Sequence, residues 1–141
     1  MGRFGANWQT TYVERYQSVD SDTGLFEPRR VGVEVADSGI PRWRSTLRLN
    51  WALQPYAATY ALRHISSLTE GANGKLGAVT YHDLQASYTL PKAFNTTLTG
   101  GINNLFDQDP PVCVSCSLNG YDASVYDLPG TFAYVSAAVK F

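Results

Sequence analysis

The sequence has no apolar run of roughly 18 residues or more, which excludes a membrane-spanning helix. Charged residues are scarce, since Asp, Glu, Lys and Arg make up 16% of the 141 residues, against roughly 25% in an average soluble domain. The formal net charge of −1 argues against a nucleic-acid-binding protein, which is usually basic. No Ser-His-Asp set, P-loop or dinucleotide motif is visible, so the sequence predicts neither an enzyme nor a cofactor site.

Aromatic residues are abundant, with nine Tyr, six Phe and three Trp, and many of them recur at every second position. The clearest case is the stretch 42–53. One face would carry Trp43, Ser45, Leu47, Leu49 and Trp51, and the other would carry Arg42, Arg44, Thr46, Arg48 and Asn50. Alternation of this kind predicts a β-strand with one apolar and one polar face.

The two tryptophans of this stretch, Trp43 and Trp51, are predicted to lie about 26 Å apart along the strand. With a strand tilt of about 40°, that separation is close to the thickness of the apolar band of a membrane barrel. We therefore predict an aromatic girdle of Trp8, Trp43 and Trp51 at the membrane interfaces. A sugar-binding platform is the less favoured interpretation of these aromatic rows.

The same period predicts six strands, at residues 3–17, 42–53, 56–65, 79–90, 95–105 and 130–141. The connections between them alternate in length, and the long ones are 18–40, 66–78 and 106–128. Long outer loops and short periplasmic turns on opposite sides are typical of outer-membrane barrels. The predicted fold class is all-β: an antiparallel up-and-down transmembrane β-barrel segment of about six long strands, part of a larger barrel.

The stretch 100–111 reads GGINNLFDQDPP, residues 126–132 read YDLPGTF, and the chain ends in Phe141. This pattern resembles the C-terminal end of TonB-dependent outer-membrane receptors. In that family a Gly-x-x-Asn-Leu-Phe-Asp strand precedes a Pro-Pro loop, a Tyr-Asp plus Gly-Arg-x-Phe/Tyr element and a last strand ending in Phe. Thr131 departs from the pattern, because the family usually has Arg there.

The resemblance implies a barrel of about 22 strands with a plug folded inside it. Nothing in this chain resembles the plug or its TonB-contacting segment, and no apolar signal-peptide core follows Met1. We therefore expect residues 1–141 to be the C-terminal portion of the receptor barrel, with the plug domain absent and any export signal elsewhere. The expected location is the outer membrane of a Gram-negative bacterium.

The resemblance also implies partners and ligands. The expected partners are outer-membrane lipid, the barrel-assembly machinery, and the TonB system only through the missing N-terminal part. Phe141, Val139 and Ala137 form the expected barrel-assembly signal. The ligand implied is a scarce nutrient: a ferric siderophore, a cobalamin-like compound or an oligosaccharide.

Four arginines, Arg42, Arg44, Arg48 and Arg63, are predicted on the inward face. They are candidates for a basic wall that attracts anionic ligands. The favoured alternative is that they pair with acidic groups of a plug or of neighbouring strands, such as Asp83.

Cys113 and Cys116 are predicted to form a disulfide in the last long loop, because a zinc site needs about four ligands. His64 and His82 fall near the loop-side ends of adjacent strands and are predicted to be rim residues rather than metal ligands. Two other protein classes stay open at this point: a small self-contained outer-membrane barrel or adhesin, and a soluble β-sandwich binding domain.

The predicted faces are testable at two neighbouring positions. A spin label at Leu47→Cys is expected to be accessible to oxygen dissolved in the lipid acyl chains, whereas a label at Arg48→Cys is not. The measurement is electron paramagnetic resonance accessibility in bilayers. The reverse order of accessibility would contradict the assignment of both faces.

Overall fold

The computed structural model describes residues 2–35, 37–91, 96–117 and 119–139. The strands in these ranges are β1 Arg3–Tyr12, β2 Trp43–Leu53, β3 Tyr56–Ile65, β4 Leu68–Thr69, β5 Lys75–Leu76, β6 Val79–Leu90, β7 Thr96–Asn103 and β8 Phe132–Ala138. Six of them form one sheet in the order β1-β2-β3-β6-β7-β8, and every pairing is antiparallel. The predicted all-β, up-and-down segment of six strands is therefore confirmed. The described ranges contain no helix long and apolar enough to cross a membrane.

The register of the sheet brings the predicted outward residues of all six strands onto the same face. Trp8 lies opposite Leu47, and Leu47 lies opposite Leu62 on the next strand. On the other face, Arg48 lies opposite Ala61. Because side chains alternate with a period of two, a slip of one residue would exchange the faces of a whole strand. The apolar and polar rows inferred strand by strand thus coincide across the sheet.

Strands β1 and β7 end before their predicted last residues, where each of them meets a loop. β1 ends at Tyr12 rather than at residue 17, because the alternation breaks at Val13. The amide of Val13 still donates to the carbonyl of Arg42 at 3.0 Å, which closes the ladder. β7 ends at Asn103, because Asn104 adopts a φ of 53° and leaves the extended conformation.

The last strand, β8, begins at Phe132 rather than at residue 130. Gly130 has a φ of 100°, a conformation that a strand residue does not adopt. Of the predicted assembly-signal residues, Ala137 lies in β8 opposite Leu98 and Val139 follows the strand. Phe141 lies outside the described residues.

The long connections are loop 1 (residues 13–42), loop 2 (66–78) and loop 3 (104–131). Loop 2 was expected to lack regular structure, but it contains the β4–β5 hairpin around a 3-10 turn at Gly71–Asn73. A parallel bridge between Val33 and Thr69 joins this hairpin to loop 1.

The buried apolar residues lie at the loop end of the sheet rather than along its length. They are Ile65, Leu68, Leu76, Val79, Tyr81, Cys113, Tyr121, Val125 and Tyr126. In contrast, every residue of β1 and β8 is exposed, since each of these edge strands has a neighbour on one side alone. The described sheet is therefore open, and the loops, not the strands, enclose its core.

Two adjacent glycines of β7 provide a matched test of the two faces. A Cβ at Gly101 would lie 2.4 Å from the ring of Tyr134, which covers this glycine from the opposite strand. A Cβ at Gly100 would meet nothing closer than a backbone oxygen at 4.0 Å. We expect Gly101→Ala to lower the free energy of unfolding by about 1 kcal/mol through displacement of Tyr134. Gly100→Ala should change it by less than about 0.5 kcal/mol. Urea unfolding in detergent micelles measures both, and equal effects would contradict the described facing of β7.

Candidate functional site

The inner face carries a shallow groove of about 380 Å³ between β2, β3, β6, β7 and β8. Its lining is mostly amides and hydroxyls with one arginine, namely Arg48, Asn50, Thr59, Asp83, Gln85, Asn103 and Tyr134, besides Ala61 and Leu84. Several of these groups already bond to each other across strands. Thr59 donates to Asn50 at 2.9 Å, and the hydroxyl of Tyr134 donates to Gln85 at 2.9 Å. The wall therefore offers hydrogen-bonding groups to water or to a polar ligand.

Arg63 is the most constrained of the predicted arginines. Its Nε donates to Asp83 on β6 at 2.8 Å, and its Nη1 pairs with Asp127 of loop 3. The guanidinium also lies over the ring of Tyr81, 5.3 Å from the centroid. Asp83 is the partner that the sequence suggested, whereas Asp127 was missed, although it lies in the YDLPG motif. Arg63 thus joins two strands to a loop and is neutralised by protein groups.

The other three arginines lie in different surroundings. Arg44 donates to the carbonyl of Val125 at 3.4 Å. Arg42 immediately precedes β2, and both it and Arg48 are exposed. Within the described residues, neither Arg42 nor Arg48 has an ion-pair partner. A ligand-binding role for the four arginines stays a prediction, and Arg48, in the groove, is the best placed of them.

Asn104 joins the beginning of loop 3 to its end. Its buried side-chain amide donates to the carbonyls of Gln108 at 3.0 Å and Gly130 at 3.1 Å, and its Oδ1 accepts from the amide of Gln108. The hydroxyl of Thr131 donates to the backbone carbonyl of Asn104 at 2.8 Å. The two motif elements that are distant in sequence are therefore bonded to each other, and Thr131 takes part in that bonding.

Three carboxylates tie the loops into one unit, which we term the loop cap (loops 1, 2 and 3). Asp122 of loop 3 accepts from the amide of Gly39 in loop 1 at 2.8 Å. Asp37 of loop 1 accepts from the amide of Ser117 in loop 3 at 3.1 Å. Glu70 of loop 2 accepts from the amide of Ser115 in loop 3. Sequence reasoning missed these residues, because single acidic residues in loops are usually solvated.

Cys113 and Cys116 form a disulfide in loop 3, with Cα atoms 5.4 Å apart. Ser115, which lies between the two cysteines, donates its amide to Glu70. Burial by itself would raise the pKa of Glu70, but hydrogen bonds from Ser115 and Val114 lower it below its usual value. Both sulfur atoms lie within 4.8 Å of a carboxylate oxygen of Glu34. Because the cysteines are joined in a disulfide, they offer no thiolate, and this group is not a metal site.

Glu34 and Asp122 are both buried in the loop cap, with 3% and 0% exposure. Burial raises the pKa of Glu34 to about 7, and the neighbouring Asp122 adds to the rise. Burial would also raise the pKa of Asp122, but hydrogen bonds from Ser124 and from the amide of Gly39 outweigh it and lower that pKa. Of the two acids, Glu34 is therefore the one that binds a proton more readily.

The two histidines lie on the outward face and contact different groups. His64 bonds to Thr80 at 2.9 Å, and His82 bonds to Tyr60 at 2.5 Å. Phe106 packs edge-on against His82 at 4.9 Å. These contacts fit the rim interpretation.

The tryptophans predicted as a girdle lie at three different heights of the sheet. Trp43 and Trp51 lie at opposite ends of β2, and Tyr12 stacks on Trp43 at 4.4 Å. Trp8 lies opposite Leu47, midway along the strand pair, so its place in a girdle stays a prediction.

Comparison with known proteins places residues 2–105, about three quarters of the chain, in one match to the family model described as TonB dependent receptor-like, beta-barrel. The match covers β1 to β7, where residues 3–99 resembled the family by strand pattern and order, and it ends at Leu105 within the NNLFD motif. Neither the comparison with curated proteins nor that with solved structures gives a match.

The role of Arg63 is testable against Arg48, a second inward arginine. Arg63→Gln leaves Asp83 and Asp127 without their cation, and we expect it to lower the free energy of unfolding by about 1–2 kcal/mol. Arg48→Gln removes no ion pair of the described residues and should change it by less than about 0.5 kcal/mol. Urea unfolding in micelles, repeated at high salt, measures both. A loss for Arg48→Gln equal to that for Arg63→Gln would show that general wall charge, not the pairing, matters.

Proposed function

Because the chain belongs to the family of TonB-dependent receptor-like β-barrels, we propose that its sheet forms part of the wall of an outer-membrane transporter that imports a scarce nutrient. The observation that carries this proposal is the shared facing of all six strands, with apolar rows outside and polar rows inside. An apolar face outside and hydrogen-bonding groups inside suit a wall between lipid and a wet, plugged lumen.

The proposal includes further strands beyond β1 and β8. Each of these strands has one partner in the described sheet, so each leaves a row of backbone groups that needs another strand. A plug inside the barrel and contact with TonB through that plug belong to the same proposal, as do insertion by the barrel-assembly machinery and a surrounding layer of outer-membrane lipid. A self-contained barrel is disfavoured, because β1 and β8 do not pair with each other.

The ligand class is proposed from the charged side chains of the inner face and from whether protein groups already pair with them. Arg63 is neutralised by Asp83 and Asp127, so it does not attract an anion. Within the described residues, Arg48 adds a cation without an ion-pair partner to a groove whose other polar groups are amides, hydroxyls and the carboxylate of Asp83. Such a surface suits a large polar ligand with many hydrogen-bonding oxygens and little charge, such as a ferric siderophore or an oligosaccharide, with a cobalamin-like compound as the third candidate.

The experiment is a growth test in the bacterium that carries the gene. The deletion strain is grown with iron, cobalamin or an oligosaccharide as the single limiting nutrient. We expect a growth defect under one of the three limitations, and the same defect when TonB is depleted. A deletion strain that grows normally under all three would contradict nutrient uptake.

Complementation connects this test to the structure. Ala86 and Ser87 are neighbours on β6 that face outward and inward, each between small or neutral residues on the adjacent strands. Ala86→Arg places a charge in lipid at a cost of about 2–4 kcal/mol and should fail to restore growth. Ser87→Arg places the same charge in the lumen and should restore it. Equal rescue by both variants would contradict the proposed orientation in the membrane.

A further inference from the structure

The contact between loop 1 and loop 3 depends on two carboxyl groups that have almost no water around them. Glu34 Oε2 and Asp122 Oδ2 lie 2.3 and 3.0 Å from the point that a Cβ at Gly39 would occupy, so only glycine fits between them. Asp122 receives the amides of Gly39 and Ser124. Glu34 Oε1 accepts from the amide of Ser38 at 3.2 Å, and its Oε2 is fully buried with no hydrogen-bond partner from the described residues.

A buried carboxylate oxygen without a donor, placed beside a second carboxylate, is unfavourable unless a proton lies between them. We propose that Glu34 and Asp122 share one proton and thereby form an acid-dependent latch that holds loop 1 against loop 3. With the proton present, Glu34 donates to Asp122 and the pair carries a single negative charge. When the proton leaves, two adjacent buried carboxylates repel each other, and the contact between the loops loosens.

The other charged groups around the pair do not supply this proton. Asp37 and Glu70 are also acidic, and their charges are already met by Ser117 and Ser115. The Tyr126 hydroxyl has no described partner, and burial together with Glu34 raises its pKa to about 12, so it stays neutral. Two cations lie on this side of the loops: the guanidinium of Arg30 donates to the Val35 carbonyl, and that of Arg44 donates to the Val125 carbonyl, each at 3.4 Å.

The direction of the pH dependence follows from the raised pKa of Glu34, about 7 in the folded loop cap against 4.5 in an open one. A raised acid pKa stabilises the folded form fully below the open-state value, and this stabilisation is lost as the pH rises through the folded value. The latch is therefore closed in mildly acidic surroundings and weakened above neutral pH. The pKa of Asp122 is lowered, so its contribution to the stability of the closed form is lost only when the pH falls well below this range.

Hydrogen exchange measured by mass spectrometry tests the latch in the full chain in detergent micelles. After correction for intrinsic exchange, protection of peptides covering residues 31–40 and 119–127 should fall roughly tenfold between pH 5.5 and pH 8. Strands β2 and β3 serve as the internal reference and should stay protected throughout. Glu34→Gln, which has the shape of the neutral acid, should abolish this pH dependence. Glu27→Gln, an acidic residue elsewhere in loop 1, should leave it unchanged.

Infrared difference spectroscopy gives a second, independent readout. A protonated carboxyl band at pH 6 should be present in the unmodified chain and in Glu27→Gln, and should disappear in Glu34→Gln. Protection that is independent of pH in the unmodified chain, or a band that persists in Glu34→Gln, would overturn the proposal. Restoration of protection at pH 8 by calcium chloride alone, dependent on Glu34, would also overturn it, because the pair would then be a cation site.

Discussion

The rest of the structure depends on one constraint: the register of the sheet assigns every strand residue to one of two faces. In a soluble sheet the apolar face is covered by protein and forms the core. Here the outward rows of Trp, Leu and Tyr are not covered by any described residue, and large side chains such as Phe4 and Trp8 are more than 70% exposed. In the proposed outer-membrane location, lipid would cover these rows. The strands are held by backbone hydrogen bonds, while the buried apolar cluster of the described residues lies at the loop end.

Because the outward face of the sheet is not packed against protein, contacts between polar residues hold much of the described fold together. On the inner face, Arg63 pairs with Asp83 and Asp127, so the charge of this arginine is matched by protein groups. At the edge of the wall, Asn104 bonds both ends of loop 3, and Thr131 bonds to Asn104. The threonine that departs from the family pattern therefore fills a structural role through its hydroxyl, although it lacks the charge of arginine. In each case a loop is fixed to a strand by directional hydrogen bonds or ion pairs.

Much of the sheet was predictable from sequence, because period-two alternation over ten or more residues has few other physical explanations. The facing of Leu47, Arg48 and the central strand residues follows from that period alone. The strand ends were less accurate, since they depend on the backbone conformation of single residues such as Asn104 and Gly130. Asp83 was predictable as a partner of Arg63 because both lie on adjacent inward rows. Glu34, Glu70 and Asp122 were not predictable, because their burial arises from the folding of three loops that no local pattern describes.

Three buried acids of the loop cap differ in their pKa, which is raised for Glu34 and lowered for Glu70 and Asp122. Glu70 and Asp122 are buried, yet each is surrounded by backbone amides that favour the ionised form, and the pKa of each is lowered. Glu34 is buried as well, but the backbone amides of Ser38 and Asp37 do not offset its burial and the neighbouring Asp122, and its Oε2 has no hydrogen-bond partner among the described residues. Burial of a carboxyl group beside a second carboxyl favours its neutral form. The three acids therefore differ in the balance between burial and the groups around them. Since Glu34 bonds through its backbone to Thr69 of loop 2 and touches Asp122 of loop 3, its protonation bears on the contact between all three loops.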